Sequence, residues 1–333
     1  MMFFVLKIVF SIAPVFVFLA ALIYLDSYKL VHLRSVVGTI ILGCLVAGAA
    51  MAANYWPLTT PYRDSYIRYG APVVEELLKS LYPIYLIRSK KVGFMVDAAI
   101  RGFGIGAGFA FIENVYYLNS VNSPNLIVWA VRGFGTAVMH GGTTAILATV
   151  YKNLTDVKNS DNLRLIVPGF FAAVVIHSFF NHFFFSPLIS AVAVIAVLPV
   201  IMLFVFTQSE KSTRSWLGVG FDSDAALLNM ITTGNVAQTR IGVYLELLQT
   251  RFRGEVVADL LCYLRIYLEL AIQAKGILLM RQAGFDVPAD PEIKAKFDEL
   301  KYLERSIGKT GQLAMAPFVR TSSNDLWQLQ LLQ

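Results

Sequence analysis

Residues 69–88 read YGAPVVEELLKSLYPIYLIR, an apolar stretch of 20 residues that carries Glu75, Glu76 and Lys79 in its interior. Roughly 20 apolar residues suffice for a helix to cross a bilayer, so the stretch predicts a membrane span. Lys79 lies three and four residues from the two glutamates, which sets all three on one side of a helix where they partly neutralise one another. Charges at that depth are costly unless paired or wetted, and they mark functional positions. Two adjacent carboxylates there suit general-base chemistry on water.

The surrounding sequence extends the pattern. The chain of 333 residues is 56% hydrophobic and only 15% charged, with a mean hydropathy of +0.61. Soluble domains carry about 25% charged residues, so most of this chain belongs in lipid. Apolar runs at 3–25, 36–53, 69–88, 93–118, 127–150, 164–185 and 187–206 predict an all-α, polytopic bundle of about seven transmembrane helices over 1–206. The N-terminal run exceeds a secretory h-region and has no A-x-A-like site before Asp26, so it is expected to be a first span rather than a signal peptide.

Up to Phe206 there are 14 Lys and Arg against 8 Asp and Glu, and from Thr207 onward 14 of each. The excess positive charge therefore sits in the membrane half. Lys29 and Arg34, then Arg88, Lys90 and Lys91, then Lys152, Lys158 and Arg164 fall in alternate connections, and Lys211 and Arg214 open the tail. Arg63 and Arg68 break the alternation. By the positive-inside rule the N-terminus lies outside and the tail in the cytoplasm, an alternation that needs an odd number of spans. Residues 207–333 carry Leu245, Leu248, Leu260, Leu264 and Leu268 at helical spacing among charges, punctuated by Gly254 and by GFDVPADP at 284–291. They predict a small helical cytoplasmic domain, with a last helix near 290–307 and a loosely ordered end. Cys44 and Cys262 give neither a disulfide framework nor a metal spacing. The basic isoelectric point comes without a basic stripe interleaved with aromatics, so no nucleic-acid partner is expected.

Three further spans hold polar groups. GFAFIENVYY carries Glu113 and Asn114, preceded by Gly102, Gly104, Gly106 and Gly108, small residues that let neighbouring backbones approach and predict a central helix. Arg132, Thr136, His140 and Thr144 form a ridge four residues apart, and His177 and Asn181 are also four apart in VVIHSFFNHFFF. His182 is turned away by about 100°. Asp97, Arg101 and Arg132 are expected to pair between helices or snorkel, and His182 and Thr144 to be structural. With the orientation above, Glu75, Glu113, His177 and Asn181 fall in the outer half of the bilayer and His140 deeper. Chemistry of this kind serves either a peptidase or a transporter or channel. A transporter tends to show inverted repeats, and no internal repeat is evident. A noncatalytic scaffold working through its tail is a third possibility.

The motifs EELLK at 75–79, FAFIEN at 109–114, His140 with Thr144, and HSFFN at 177–181, in this order and each in its own span, resemble the PrsW family of bacterial intramembrane peptidases. That family is related to the type II CAAX prenyl endopeptidases. The resemblance covers roughly 20–206 and implies hydrolysis of a peptide bond of a single-span, anti-sigma-factor-like membrane protein in a bacterial inner membrane. It implies that Glu75 or Glu76 activates water and that Glu113, His140, His177 and Asn181 complete the site. The prenyl relatives have a His where this chain has Glu113, which disfavours prenyl-protein processing. No HExxH helix is present. A glutamate-activated water without a cofactor is preferred; the alternative is a divalent metal such as zinc, held by Glu113, His140 and His177.

Overall fold

A computed structural model describes residues 2–120, 124–182, 184, 186–285, 287, 290–319 and 323–332. Among these residues the chain is helical, without a strand, and divides into two compact units, Met1–Glu210 and Lys211–Gln333. The first unit contains α1 (Met2–Tyr24), α2 (Leu33–Leu58), α3 (Ala71–Arg88), α4 (Met95–Ser120), α5 (Ala137–Val157) and α6 (Val167–His182), and the start of α7 (Pro187–Thr232). A π turn, Tyr66–Gly70, leads into α3. A short helical turn, Leu126–Ala130, and a second π turn, Val131–Thr136, lead into α5.

Five segments are long and apolar enough to cross a membrane: Val5–Tyr24, Leu33–Leu58, Met95–Ser120, Leu163–His182 and Leu188–Thr232. The other two expected spans, 69–88 and 127–150, coincide with α3 and with the second π turn and first part of α5, helices whose charged, Thr and Gly residues keep them below that apolar composition. The helix that begins at Pro187 also runs on past the expected end at 206, to Thr232.

Helix α4 is the axis of the bundle. In its apolar window 78% of residues are buried inside the protein, against 22–28% in the four other apolar segments. Its glycines make this possible. A Cβ on Gly106 would lie 2.1 Å from the His140 carbonyl oxygen, and one on Gly108 would lie 2.0 Å from that of Ile40. The backbones of α2 and α5 thus touch that of α4 directly, which is how helices associate in lipid, where no hydrophobic force acts between them.

The ends of the bundle are tied by polar contacts. At one end Lys90, after α3, pairs with Asp161, after α5, and Val96 N donates to Ser209 Oγ at 3.2 Å. At the other, Ser178 Oγ and Asn181 Nδ2 of α6 donate to the carbonyls of Arg68 and Ile67 at 2.5 and 3.1 Å, fixing the π turn before α3. Asp97 and Arg101 pair within α4 at 2.5 Å, a local solution to two charges in an apolar helix.

The second unit contains α8 (Arg240–Leu248), α9 (Gly254–Gln282), α10 (Glu292–Val319) and α11 (Ser323–Leu331). Leu260, Leu264, Leu268 and Leu270 of α9 bury against Leu300, Leu303, Ile307 and Met315 of α10. The last expected helix, 290–307, is longer than its apolar spacing suggests. It continues through a non-helical Gly308, at φ 63°, to Val319, and a further helix, α11, occupies part of the end expected to be loose. Residues 286, 288 and 289 of the punctuating stretch lie outside the described residues.

Gly106→Ala places a methyl group against backbone that cannot rotate away. Overpacking of this kind costs about 1–3 kcal/mol. The variant in detergent should melt several degrees below the parent, whereas Gly48→Ala, which meets nothing within 4 Å, should not.

Candidate functional site

Four helices bring the polar residues together. Glu76 of α3 is fully buried, and one of its oxygens, Oε1, collects its partners. Lys79 Nζ, one turn on, donates to it at 2.6 Å, and His177 Nδ1 of α6 lies 2.9 Å away. Thr143 Oγ of α5 lies 3.2 Å from that oxygen and 3.1 Å from the His140 carbonyl. The other oxygen, Oε2, is buried without a hydrogen-bond partner.

The tautomer of His140 and the donor role of His177 Nδ1 follow from these contacts. Lys79 Nζ also lies 3.0 Å from His140 Nδ1. An ammonium only donates, so Nδ1 of His140 accepts and its Nε2–H points to Glu113 Oε2, 2.7 Å away. A carboxylate only accepts, so His177 donates from Nδ1 to Glu76 and turns its Nε2 toward Glu75 Oε2, at 3.7 Å. The two imidazoles meet edge to face with centroids 4.8 Å apart, and Phe109 packs on His140 at 4.9 Å and under Lys79 at 4.8 Å.

The two glutamates, neighbours in sequence, differ in environment. Glu76 and Lys79 are 0% exposed, whereas the side chain of Glu75 is 16% exposed and that of Glu113 24%. Glu75 Oε1 accepts from Asn54 Nδ2 at 3.1 Å, and Asn54 Oδ1 accepts from Tyr66 OH at 2.7 Å. Glu113 lies 3.8 Å from Arg132 Nη2, and the Arg132 guanidinium stacks on Tyr117 at 3.3 Å from the ring centroid.

Of the residues singled out in the sequence, Glu75, Glu76, Glu113, His140 and His177 form one cluster. Asn181 instead uses its amide N–H on Ile67. His182 bonds to the Ser178 carbonyl, 2.7 Å away, and Thr144 donates to the His140 carbonyl at 3.0 Å, both local contacts. Lys79, set at first beside the glutamates as a neutralising charge, is the link between Glu76 and His140. Arg132, expected to pair or snorkel, borders Glu113. Asn54 and Thr143 were not anticipated. Asn54 stands in an otherwise apolar run (GAAMAANYWP), which is the signal that could have found it. Thr143 has none beyond lying three residues after His140.

The donor set also fits a metal, once His140 gives up its contact with Lys79 or the Nε2 proton it lends to Glu113. Ligand atoms of Glu75, His140 and His177 lie within 4.8 Å of one another. Two His and one Glu make a common catalytic zinc set, and the Glu76 carboxylate behind His177 is the usual outer-shell orienting group. Glu75 takes the place in this set that Glu113 holds in the expected one.

These features define a buried polar cluster enclosed in a membrane helix bundle. Residues 31–207, more than half of the chain, match the PrsW family of intramembrane metalloproteases, and the chain belongs to that family. It is therefore a peptide hydrolase of the membrane. No curated protein and no solved structure matches it.

Removing one member of a buried ion pair strands the other, at a cost of about 3–5 kcal/mol. Lys79→Met should therefore lower the melting temperature sharply, and the double variant Lys79→Met/Glu76→Gln should recover part of the loss.

Proposed function

We propose that the protein is an endopeptidase that cuts single-span membrane proteins in the outer half of the bilayer, with Glu75 as the base that activates water. One observation carries this assignment: Glu75 is the partly exposed carboxylate, 3.7 Å from Nε2 of His177, while its neighbour Glu76 is locked by buried donors. A water between Glu75 Oε2 and His177 Nε2 would have one proton directed at the carboxylate. Its oxygen attacks the peptide carbonyl carbon as a proton passes to Glu75. The C–N bond then breaks, and Glu75 returns that proton to the leaving amine. The guanidinium of Arg132, on the Glu113 side, is the donor available to the charge developing on the carbonyl oxygen. Lys79 and Glu76 position both imidazoles and do not touch the substrate. Asn181 holds the turn that leads into the helix of the base.

Seven crossings, with the N-terminus outside and the tail in the cytoplasm of a bacterial inner membrane, are part of the same proposal. The Lys90–Asp161 pair and the Ser178 and Asn181 contacts at opposite ends of the bundle support crossings by α3 and α5 as well as by the five apolar helices. His177 lies five residues from the end of α6, about 7 Å along a helix, which supports a site in the half nearer that end. An anti-sigma-factor-like substrate fits such a site.

The close set of Glu75, His140 and His177 favours a second form of the same function, in which these residues hold a divalent metal. When bound, such a metal would supply Lewis acidity at the carbonyl and acidify water.

The test uses the purified protein in liposomes and a panel of transmembrane peptides with a fluorophore and quencher flanking the outer juxtamembrane stretch. Glu75→Gln should lower kcat by about 10²–10⁴-fold, the usual worth of a general base, with the melting temperature nearly unchanged. Retained cleavage in that variant overturns the assignment. Glu76→Gln should lose stability and activity together. Cleavage that persists after chelator treatment, in protein shown by elemental analysis to be free of metal, supports the metal-free form; loss restored by zinc supports the second.

A further inference from the structure

Beside the cluster lies a cavity of about 410 Å³, walled by Val128, Val131, Arg132, Thr136, Phe180 and Leu188. Its place follows from helix geometry. Thr136 is four residues before His140, and Phe180 three after His177, so two walls stand one helical turn, about 5 Å, from the two imidazoles. A third wall residue, Arg132, reaches Glu113 at 3.8 Å. The π turn Val131–Thr136 shapes this wall, and such turns recur at functional sites. The lining is apolar except for Arg132, Thr136 and Ser186, of which Arg132 and Thr136 stand on the flank that leads to the cluster.

Resting on the peptidase assignment above, we propose that this cavity is a specificity pocket for one large apolar side chain of the substrate, one or two residues from the scissile bond. An extended peptide advances about 3.3–3.6 Å per residue. A side chain one or two positions from a bond held at Glu75 and His177 therefore falls at the distance of Thr136 and Phe180. The volume lies near the lower end of cavities that hold small ligands, about 300–1,000 Å³. The polar flank, with Arg132 beside Glu113, faces the direction from which the peptide backbone must come. Transmembrane segments supply apolar side chains at nearly every position, so a pocket of this kind selects by size and shape rather than by charge.

The full-length protein in liposomes is given transmembrane peptides in which the two residues on each side of the cleaved bond are varied through Gly, Ala, Val, Leu and Phe. One position should show at least a tenfold preference for Leu or Phe over Ala, since apolar pockets discriminate by about 10–200-fold per methylene. Val131→Trp, which fills the cavity, should shift that position toward Gly and Ala while leaving the profile at the other positions in place. Val128→Ala, which enlarges it, should raise the preference for Phe over Leu and serves if the tryptophan variant does not fold. A flat profile in the wild type, or profiles unmoved by either variant, overturns the pocket while leaving the peptidase intact. A wild type that cleaves no peptide overturns the peptidase assignment and the pocket with it.

Discussion

The site depends on one carboxylate oxygen. Oε1 of Glu76 is shared by an ammonium on its own helix, an imidazole from α6 and a hydroxyl of α5 within reach. In a medium that offers no water to an unpaired charge, this shared acceptor gives three helices a common reference point. Lys79 extends the link to His140, and His140 extends it to Glu113 on α4. Four helices are thereby fixed relative to one another by directional bonds, and close packing of their backbones fills in between.

The same arrangement distributes roles between groups that are chemically alike. The two histidines are held in opposite senses. Nδ1 of His140 accepts from Lys79 and its Nε2–H goes to Glu113, whereas Nδ1 of His177 donates to Glu76. Neither ring could exchange its partner without turning over, and the edge-to-face contact between them leaves little room to do so.

Much of this was legible in the sequence because lipid makes polar residues conspicuous. Glu75, Glu76, Glu113, His140 and His177 stood out against apolar runs, and the glycine series marked α4 as the helix to be crowded. The division of labour between Glu75 and Glu76 was not legible. It depends on how far α3 is rotated, which a pattern of residue types does not fix. Asn181 shares the His177 face by spacing, but its amide is taken by the Ile67 carbonyl because a wide turn packs against that end of α6. Asn54 lies one residue past the expected span 36–53 and was not anticipated. Its role appears only when Tyr66 and Glu75 are seen on either side of it. The long α7 and the late helices of the tail were underestimated because their polar segments carry no apolar period strong enough to announce them.

Both helices that supply the centre of the site are entered through a π turn, Tyr66–Gly70 before α3 and Val131–Thr136 before α5. A π turn takes up more chain than an α turn, so it sets the phase of everything that follows. One residue of phase is about 100°, which is also the angle between Glu75 and Glu76. Shortening the first turn by a single residue would carry one carboxylate into the azimuth of the other. The count of residues in an irregular turn, rather than any difference between two identical side chains, decides which glutamate is the anchor and which is left to meet water.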